Sequence, residues 1–125
     1  MPVTSDARQL NKAIVREFFT SMSAGDFARA SQLICADGSW SVPRRRLVNR
    51  LDEQLRLIEG EKVTFGLGDL TAEENRVSAL ADGDMLRPDG RAARKTFHFL
   101  IRIDGGRISE VIMYDDHGFA DRPEA

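Results

Sequence analysis

The fold is decided by residues 96–108, TFHFLIRIDGGRI, which combine a strict alternation of side chains with a turn signal. Successive side chains of a strand point to opposite faces, so one face carries only apolar residues: Phe97, Phe99, Ile101 and Ile103. The other face is only half polar, and it carries Thr96, His98, Leu100 and Arg102. We therefore predict that the first face packs on the core, and that a second subunit partly covers the other.

The rest of the C-terminal half has the same period of two. It predicts strands at 62–70, 74–86, 94–103 and 107–115. The segments between them, which are Thr71-Ala72-Glu73, Pro88-Asp89-Gly90 and Asp104-Gly105-Gly106, are rich in turn-forming residues. Short connections between long strands indicate antiparallel neighbours, so this half is predicted to be a meander.

The N-terminal third has a helical period. Apolar side chains recur every four residues at Leu10, Ile14, Phe18 and Met22. Asp6 is the predicted N-cap of this helix, and Gly25 is predicted to end it. Asp26 then caps a second short helix, which leads into a turn at Asp37-Gly38.

A short strand and a third helix complete the pattern. Ser39–Val42 alternates and is stopped by Pro43. Beyond it, apolar residues at helical spacing predict a helix closed by Gly60: Val48, Leu51, Leu55 and Ile58. The fold class is therefore α+β, with helices gathered on one side of an antiparallel sheet.

Composition excludes several classes of function. The chain of 125 residues has the size of a single domain, 1–125, and its net charge of −2 gives no reason to expect nucleic acid or membrane as a partner. No apolar stretch approaches the roughly 20 residues that span a bilayer, and no signal peptide is visible, so we expect a cytoplasmic protein. One cysteine, Cys35, and two histidines leave no internal disulfide and no multi-histidine metal site.

The order of these elements resembles a known family. The opening Ile14–Phe19 with Ala24-Gly25-Asp26, the hairpin Asp104–Ile108 and the closing Tyr114-Asp115-Asp116 are similar to motifs of the SnoaL-like branch of the ketosteroid-isomerase-like (nuclear transport factor two-like) superfamily. The resemblance implies a cone, in which a curved antiparallel sheet wraps around three N-terminal helices and leaves an apolar cavity. Enzymes of this superfamily include isomerases, polyketide cyclases and dehydratases that need no metal or cofactor. Other members are catalytically silent.

Asp82 is the first candidate for an acid/base residue in such a cavity. It falls where limonene-epoxide hydrolases carry the central aspartate of a catalytic triad, although the two partner positions are Leu80 and Met113. A simple loop at Pro88-Asp89-Gly90 would turn Asp82 away from the Phe97 side. The alternative is a solvated aspartate near the end of a strand.

Asp115 is the second candidate. It shares a face of the last strand with Val111 and Met113, which places it on the apolar side of the sheet. An aspartate held among apolar groups can act as a general acid or base, because desolvation raises its pKa. The alternative is a polar strand end in water.

Four residues are predicted to line the cavity: Trp40, Phe97, Phe99 and Met113. His98 is predicted on the outer face, at a dimer interface or in solvent. Two functional hypotheses follow. The first is an enzyme of the isomerase, cyclase or dehydratase type that acts on a small apolar carbonyl compound without a cofactor. The second is a silent module that binds a ligand or a partner, and in both cases we expect a homodimer through the outer sheet face.

Overall fold

The computed structural model describes the backbone of residues 3–61, 63–86 and 89–115, and the side chains of residues 7–60, 63–84 and 89–114. Its helices are α1 (Val3–Ser23), α2 (Phe27–Gln32) and α3 (Leu51–Glu61). Its strands are β1 (Ile34–Val42), β2 (Leu47–Arg50), β3 (Thr64–Glu73), β4 (Arg76–Leu86), β5 (Ala92–Asp104) and β6 (Arg107–Asp115). A single 3₁₀ turn at Pro43–Arg45 links β1 to β2. The predicted α+β class is confirmed.

The six strands form one open, curled sheet in the order β2-β1-β6-β5-β4-β3. Strands β3 to β6 pair in sequence and run antiparallel, which confirms the predicted meander. The turn between β5 and β6 needs two left-handed residues, and Gly105 and Gly106 have φ of 60° and 80°. One pair departs from an antiparallel arrangement, because β1 runs parallel to β6.

Helix α1 packs an apolar stripe on the sheet. The helix begins at Val3, so the predicted N-cap at Asp6 is wrong. Its end before Gly25 is confirmed by a left-handed φ of 79°, and the carboxylate of Asp26 accepts a hydrogen bond from the backbone N–H three residues later. The buried side chains of the stripe are Val15, Phe18, Phe19 and Met22.

Strand β1 is longer than the sequence predicts. The predicted turn at Asp37-Gly38 is wrong, because β1 runs through both residues and its pairing with β6 shifts register there. A Cβ atom on Gly38 would collide with the carbonyl oxygen of Ser109 and would lie 2.7 Å from Leu51 Cδ1. Glycine therefore lets the backbone of β6 approach β1 closely.

The third helix is shorter at its start than the sequence predicts. Val48 lies in β2, paired with Ser41 of β1, and is 68% exposed. Helix α3 begins only at Leu51, and the predicted closing residue Gly60 lies inside it. The remaining predicted apolar positions of this helix are buried, as expected: Leu51, Leu55 and Ile58.

Candidate functional site

The inner face of the sheet, which packs against the helices, holds the predicted cavity residues. Directly paired residues of neighbouring strands lie on the same face. In β5, Phe97 pairs with Ala81 and Asp115, and Phe99 pairs with Ala79 and Met113. Phe97 and Phe99 are buried, which confirms the predicted orientation of this strand.

The predicted lining residues lie together in one aromatic cluster. The ring centroid of Phe99 is 5.8 Å from those of Trp40 and Phe97 and 4.8 Å from that of Phe19. Met113 is partly buried and packs against the same core. The structure therefore brings all four predicted residues to the interior, where the ring of Phe99 contacts those of Trp40 and Phe97.

Trp40 also brings an unused polar atom into this interior. Its side chain is 1% exposed, and its Nε1–H has no hydrogen-bond partner among the described residues. A buried indole N–H usually has such a partner.

Asp82 lies on the outer face of the sheet, opposite to the aromatic cluster. It pairs with Thr96 and Gly66, its side chain is exposed, and Thr96 Oγ1 donates a weak hydrogen bond of 3.4 Å to it. This is the orientation that strand parity predicts. The described surroundings of Asp82 do not desolvate its carboxylate, and its catalytic role stays a prediction.

Asp115 occupies a register position of the inner face, because its backbone pairs with that of Phe97. It is the last residue of β6, and its side chain lies outside the described ones. Of the two predicted aspartates, only Asp115 has an inner-face position. Its catalytic role likewise stays a prediction.

Lys95 is the residue of this face that the sequence did not single out. It pairs with the buried Gly83 and lies two residues before Phe97, so it belongs to the inner face, where it is partly buried. The other described inner-face side chains of β4 and β5 are apolar. Extending the alternation of β5 backwards from Phe97 would have found it.

A cleft opens at the same end of the sheet. It has a volume of about 290 Å³ and lies between the end of α1 and the start of β3. Met22, Phe27 and Val63 form its apolar lining, and Glu59 contributes a carboxylate. The cleft approaches the lower limit of roughly 300 Å³ that is usual for small-molecule sites.

The outer face carries an apolar patch with polar ends. Leu80 and Tyr114 are 51% and 46% exposed and flank His98, whose ring centroid lies 6.5 Å from that of Tyr114. The predicted outer position of His98 is confirmed. At one end of the patch, Arg94 donates a hydrogen bond of 2.8 Å to Asp84, which lowers the pKa of that carboxyl group below its ordinary 3.8.

At the opposite end, the carboxylate of Asp104 is held by three donors. The hydroxyl of Ser109 donates at 2.6 Å and is the main reason why the pKa of Asp104 is below its ordinary 3.8. Asn75 Nδ2 and Arg102 Nε donate at 3.2 and 3.1 Å and lower the pKa further. The pKa of Asp104 is lower in the folded protein than its ordinary 3.8, so this network stabilises the fold above pH 3.8. The stabilisation is lost as the pH falls through the pKa that Asp104 has in the folded protein.

Replacing Ser109 with Ala should therefore raise the pKa of Asp104 towards 3.8. Carboxyl ¹³C shifts followed by NMR through an acid titration measure the change directly. The pKa of Asp84 serves as the internal control, because its partner is Arg94 and not Ser109. An unchanged Asp104 titration would show that Ser109 does not donate to this carboxylate in solution.

Two absences concern the described part of the chain only. None of its helices has the length and apolar character needed to cross a bilayer. Within the same residues, no group of three or more histidine, cysteine, aspartate or glutamate side chains is placed to hold a metal ion. Asp116 and His117 lie outside the described residues.

Comparison with known proteins finds relatives in structure but not in sequence. No protein-family model matches the chain, and no curated protein matches it significantly. One similar solved structure is that of SalBIII, an epoxide hydrolase/cyclase-like enzyme with a role in pyran ring formation in the polyether salinomycin. The two sequences are 17% identical and the TM-score is 0.81. The match covers 89% of this chain and 94% of SalBIII.

Two further solved structures are similar. An NTF2-like protein of unknown function from Cytophaga hutchinsonii has 17% identity and a TM-score of 0.74, over 86% of this chain and 91% of that one. A candidate ketosteroid isomerase from Kribbella flavida has 15% identity and a TM-score of 0.73, over 94% and 85%. At these identities the similarity shows the fold alone. The chain has the ketosteroid-isomerase-like, or NTF2-like, fold, and the resemblance found in its sequence is confirmed at that level.

Proposed function

We propose that the protein is an enzyme of the isomerase, cyclase or dehydratase type, which acts on a small apolar carbonyl compound without a cofactor and uses Asp115 as its general acid/base. The observation that carries the proposal is the register of β6, which places Asp115 opposite Phe97 on the apolar inner face. A carboxylate at this position can take a proton from the substrate and return it.

The chemistry requires one proton transfer in each direction. The carboxylate of Asp115 takes a proton from the carbon next to the carbonyl group, and the electron pair moves onto the carbonyl oxygen. The enolate then attacks a second carbonyl carbon of the substrate, whose oxygen takes the proton from Asp115, or it expels a hydroxyl group, which leaves as water with that proton, or it takes the proton back at another carbon. These outcomes correspond to a cyclase, a dehydratase and an isomerase.

Two other observations support this assignment. The cleft of about 290 Å³ opens at the end of the sheet where β6 ends, and its lining residues belong to the helices and to the start of β3. The similar solved structures include proteins named as a cyclase-like enzyme and as a candidate ketosteroid isomerase. The fold is therefore compatible with this class of reaction.

A silent binding module is the second candidate. It is favoured by the packed interior, where the ring of Phe99 contacts those of Trp40 and Phe97, and by the exposed position of Asp82. Such a module would bind an apolar ligand and leave its protons in place.

Deuterium exchange separates the two candidates. The protein is incubated in D₂O with a panel of aryl and alicyclic ketones, beginning with 2-tetralone, and loss of the α-proton signals is followed by ¹H NMR. The enzyme reading expects exchange faster than in buffer alone, because the base must remove an α-proton in every variant of the reaction. Binding without faster exchange across the panel would favour the silent module.

We also propose that two copies of the chain pair through the outer face. The centre of that face, around Leu80, Leu100 and Tyr114, carries exposed apolar surface. The charges at its ends are already matched within one chain, as in the pair of Asp84 and Arg94. A second copy can therefore cover the apolar centre while these end pairs stay intact.

Replacing Leu80 with Asp should convert the dimer into a monomer, because dimerisation would bury the new carboxylate against the apolar face of the second copy. The molar mass from light scattering after size-exclusion chromatography reports the change. Leu57→Asp is the matched control, since Leu57 is equally exposed, at 54%, but lies on α3. A wild-type protein that is monomeric at all tested concentrations would contradict the proposal.

A further inference from the structure

We propose that Lys95 is the anion-binding group of the inner-face site, so that the ligand is a small apolar molecule with a carboxylate or a carbonyl oxygen that becomes negative. This inference rests on the proposed function, because it names the substrate class of the same site. It does not follow from that function, since an apolar carbonyl compound needs no cation for binding.

The placement of Lys95 is the first observation. Phe65, Gly83 and Lys95 form one row across β3, β4 and β5. The last residue of helix α1, Ser23, lies at this row. Its hydroxyl donates a hydrogen bond to the carbonyl oxygen of Phe65 at 3.1 Å and accepts one from the backbone N–H of Phe65 at 2.8 Å. Lys95 therefore lies at the limit of the surface that α1 covers, where a ligand can reach it from solvent.

The surroundings of Lys95 are the second observation. A Cβ atom on Gly83 would lie 2.5 Å from Phe97 Cε2, so the ring of Phe97 occupies the space that a side chain at Gly83 would fill. The ring of Phe97 thus lies over the residue that pairs with Lys95. Phe65, in the same row, is only partly buried, so its ring offers a flat apolar ligand a contact surface on this face.

The charges near Lys95 are the third observation. Among the described side chains, none forms a hydrogen bond or an ion pair with Lys95. The described carboxylates of β4, Asp82 and Asp84, lie on the opposite face, and Asp84 is already paired with Arg94 at 2.8 Å. An anion stabilises a partly buried ammonium group beside apolar surface more than it stabilises a fully hydrated ammonium group.

The chemistry of the site gives Lys95 two uses. Its ammonium group binds a carboxylate of the ligand by charge-assisted hydrogen bonds. If the reacting carbonyl oxygen lies there instead, the same donor stabilises the negative charge that forms when Asp115 removes the α-proton. In that step the proton moves from carbon to Asp115 and the electron pair to oxygen, while Lys95 keeps its own protons.

A matched pair of ligands tests the inference. The dissociation constants of 2-naphthoate and of its neutral analogue 2-naphthamide are measured by isothermal titration calorimetry on the full chain. We expect the wild type to bind the carboxylate about 10-fold more tightly than the amide, as a charge-assisted hydrogen bond provides. Lys95→Met should remove this preference and leave amide binding unchanged, and Lys95→Arg should retain most of it.

Lys12→Met is the control variant, because Lys12 is another partly buried lysine, lies on α1, and is one of only three lysines in the chain. It should behave as the wild type. The inference is overturned if the wild type binds both ligands equally, if it binds neither, or if Lys95→Met keeps the preference.

The outcome is separable from that of the proposed function. Equal binding of the two ligands together with fast α-proton exchange would reject the anion site alone. A carboxylate preference lost in Lys95→Met without any exchange activity would reject the acid/base enzyme alone.

Discussion

Replacing Asp115 with Asn is expected to slow the exchange of the 2-tetralone α-protons by about 10²- to 10⁴-fold, the usual contribution of a positioned general base. An amide has nearly the shape of a carboxylate but cannot accept the proton. Binding of the ketone should change little, so the loss should appear in kcat and not in KM. Initial rates of α-proton exchange, measured by ¹H NMR in D₂O over a range of ketone concentrations, give both constants.

Asp82→Asn is the matched variant for this experiment. Asp82 lies on the outer face and is exposed, so we expect less than about a threefold change on its replacement. Thermal unfolding of both variants must match the wild type, so that a change in rate is not a loss of folded protein. A large loss in Asp82→Asn with none in Asp115→Asn would reverse the assignment of the two residues.

Replacing Phe99 with Ala should lower the free energy of unfolding by about 3–5 kcal/mol. Phe99 is fully buried, and its ring contacts those of Phe19, Trp40 and Phe65 at 4.8, 5.8 and 5.9 Å. Removing this ring deletes the common partner of the aromatic cluster and leaves a cavity that the curled sheet cannot readily close. Urea denaturation followed by far-UV circular dichroism measures the change.

Two further variants give the scale of that effect. Phe99→Leu keeps most of the volume and should cost about 1–2 kcal/mol. Thr96→Ala, on the exposed outer face of the same strand, should lie within about 0.5 kcal/mol of the wild type. A loss below 1 kcal/mol in Phe99→Ala would mean that the rings do not form a packed core.

The meander was predictable because its inner face is almost continuously apolar. With a period of two, a shift by one residue would expose Phe97 and Phe99 to water, so the pattern leaves one orientation for β5. The same parity placed His98 on the outer face and Asp82 away from the aromatic side. For these elements, local alternation and tertiary burial favour the same arrangement.

The first half of the sheet was not predictable in this way. Asp37-Gly38 has the local signature of a turn, but the pairing of the flanking residues Ile34 and Ser39 with the distant β6 holds the segment in β1. Val48 fits the helical spacing of α3, yet a left-handed Arg46 with φ of 54° redirects the chain into the edge strand β2. In both places the deciding contacts are remote in sequence.

The residues of the inner face were predicted only in part for a related reason. The sequence placed the aromatic residues and Asp115 on that face, because these belong to apolar rows. Lys95 is a charged residue near the start of an otherwise apolar row, so the apolar periodicity of β5 begins only at Phe97 and does not include the lysine. The alternation of β5 nevertheless puts Lys95 on the face of Phe97, and its pairing with the buried Gly83 agrees with that position.

The parallel pairing of β1 with β6 has a consequence for synthesis on the ribosome. It joins Ile34 to Ile108 and Trp40 to Val111, so the early strand finds its neighbour only after nearly all of the sheet has been made. Closing so long a loop makes folding slow compared with helix-rich domains of this size. Until then the edge of β1 that pairs with β6 has unpaired backbone N–H and C=O groups, and such an edge can pair with other chains and aggregate.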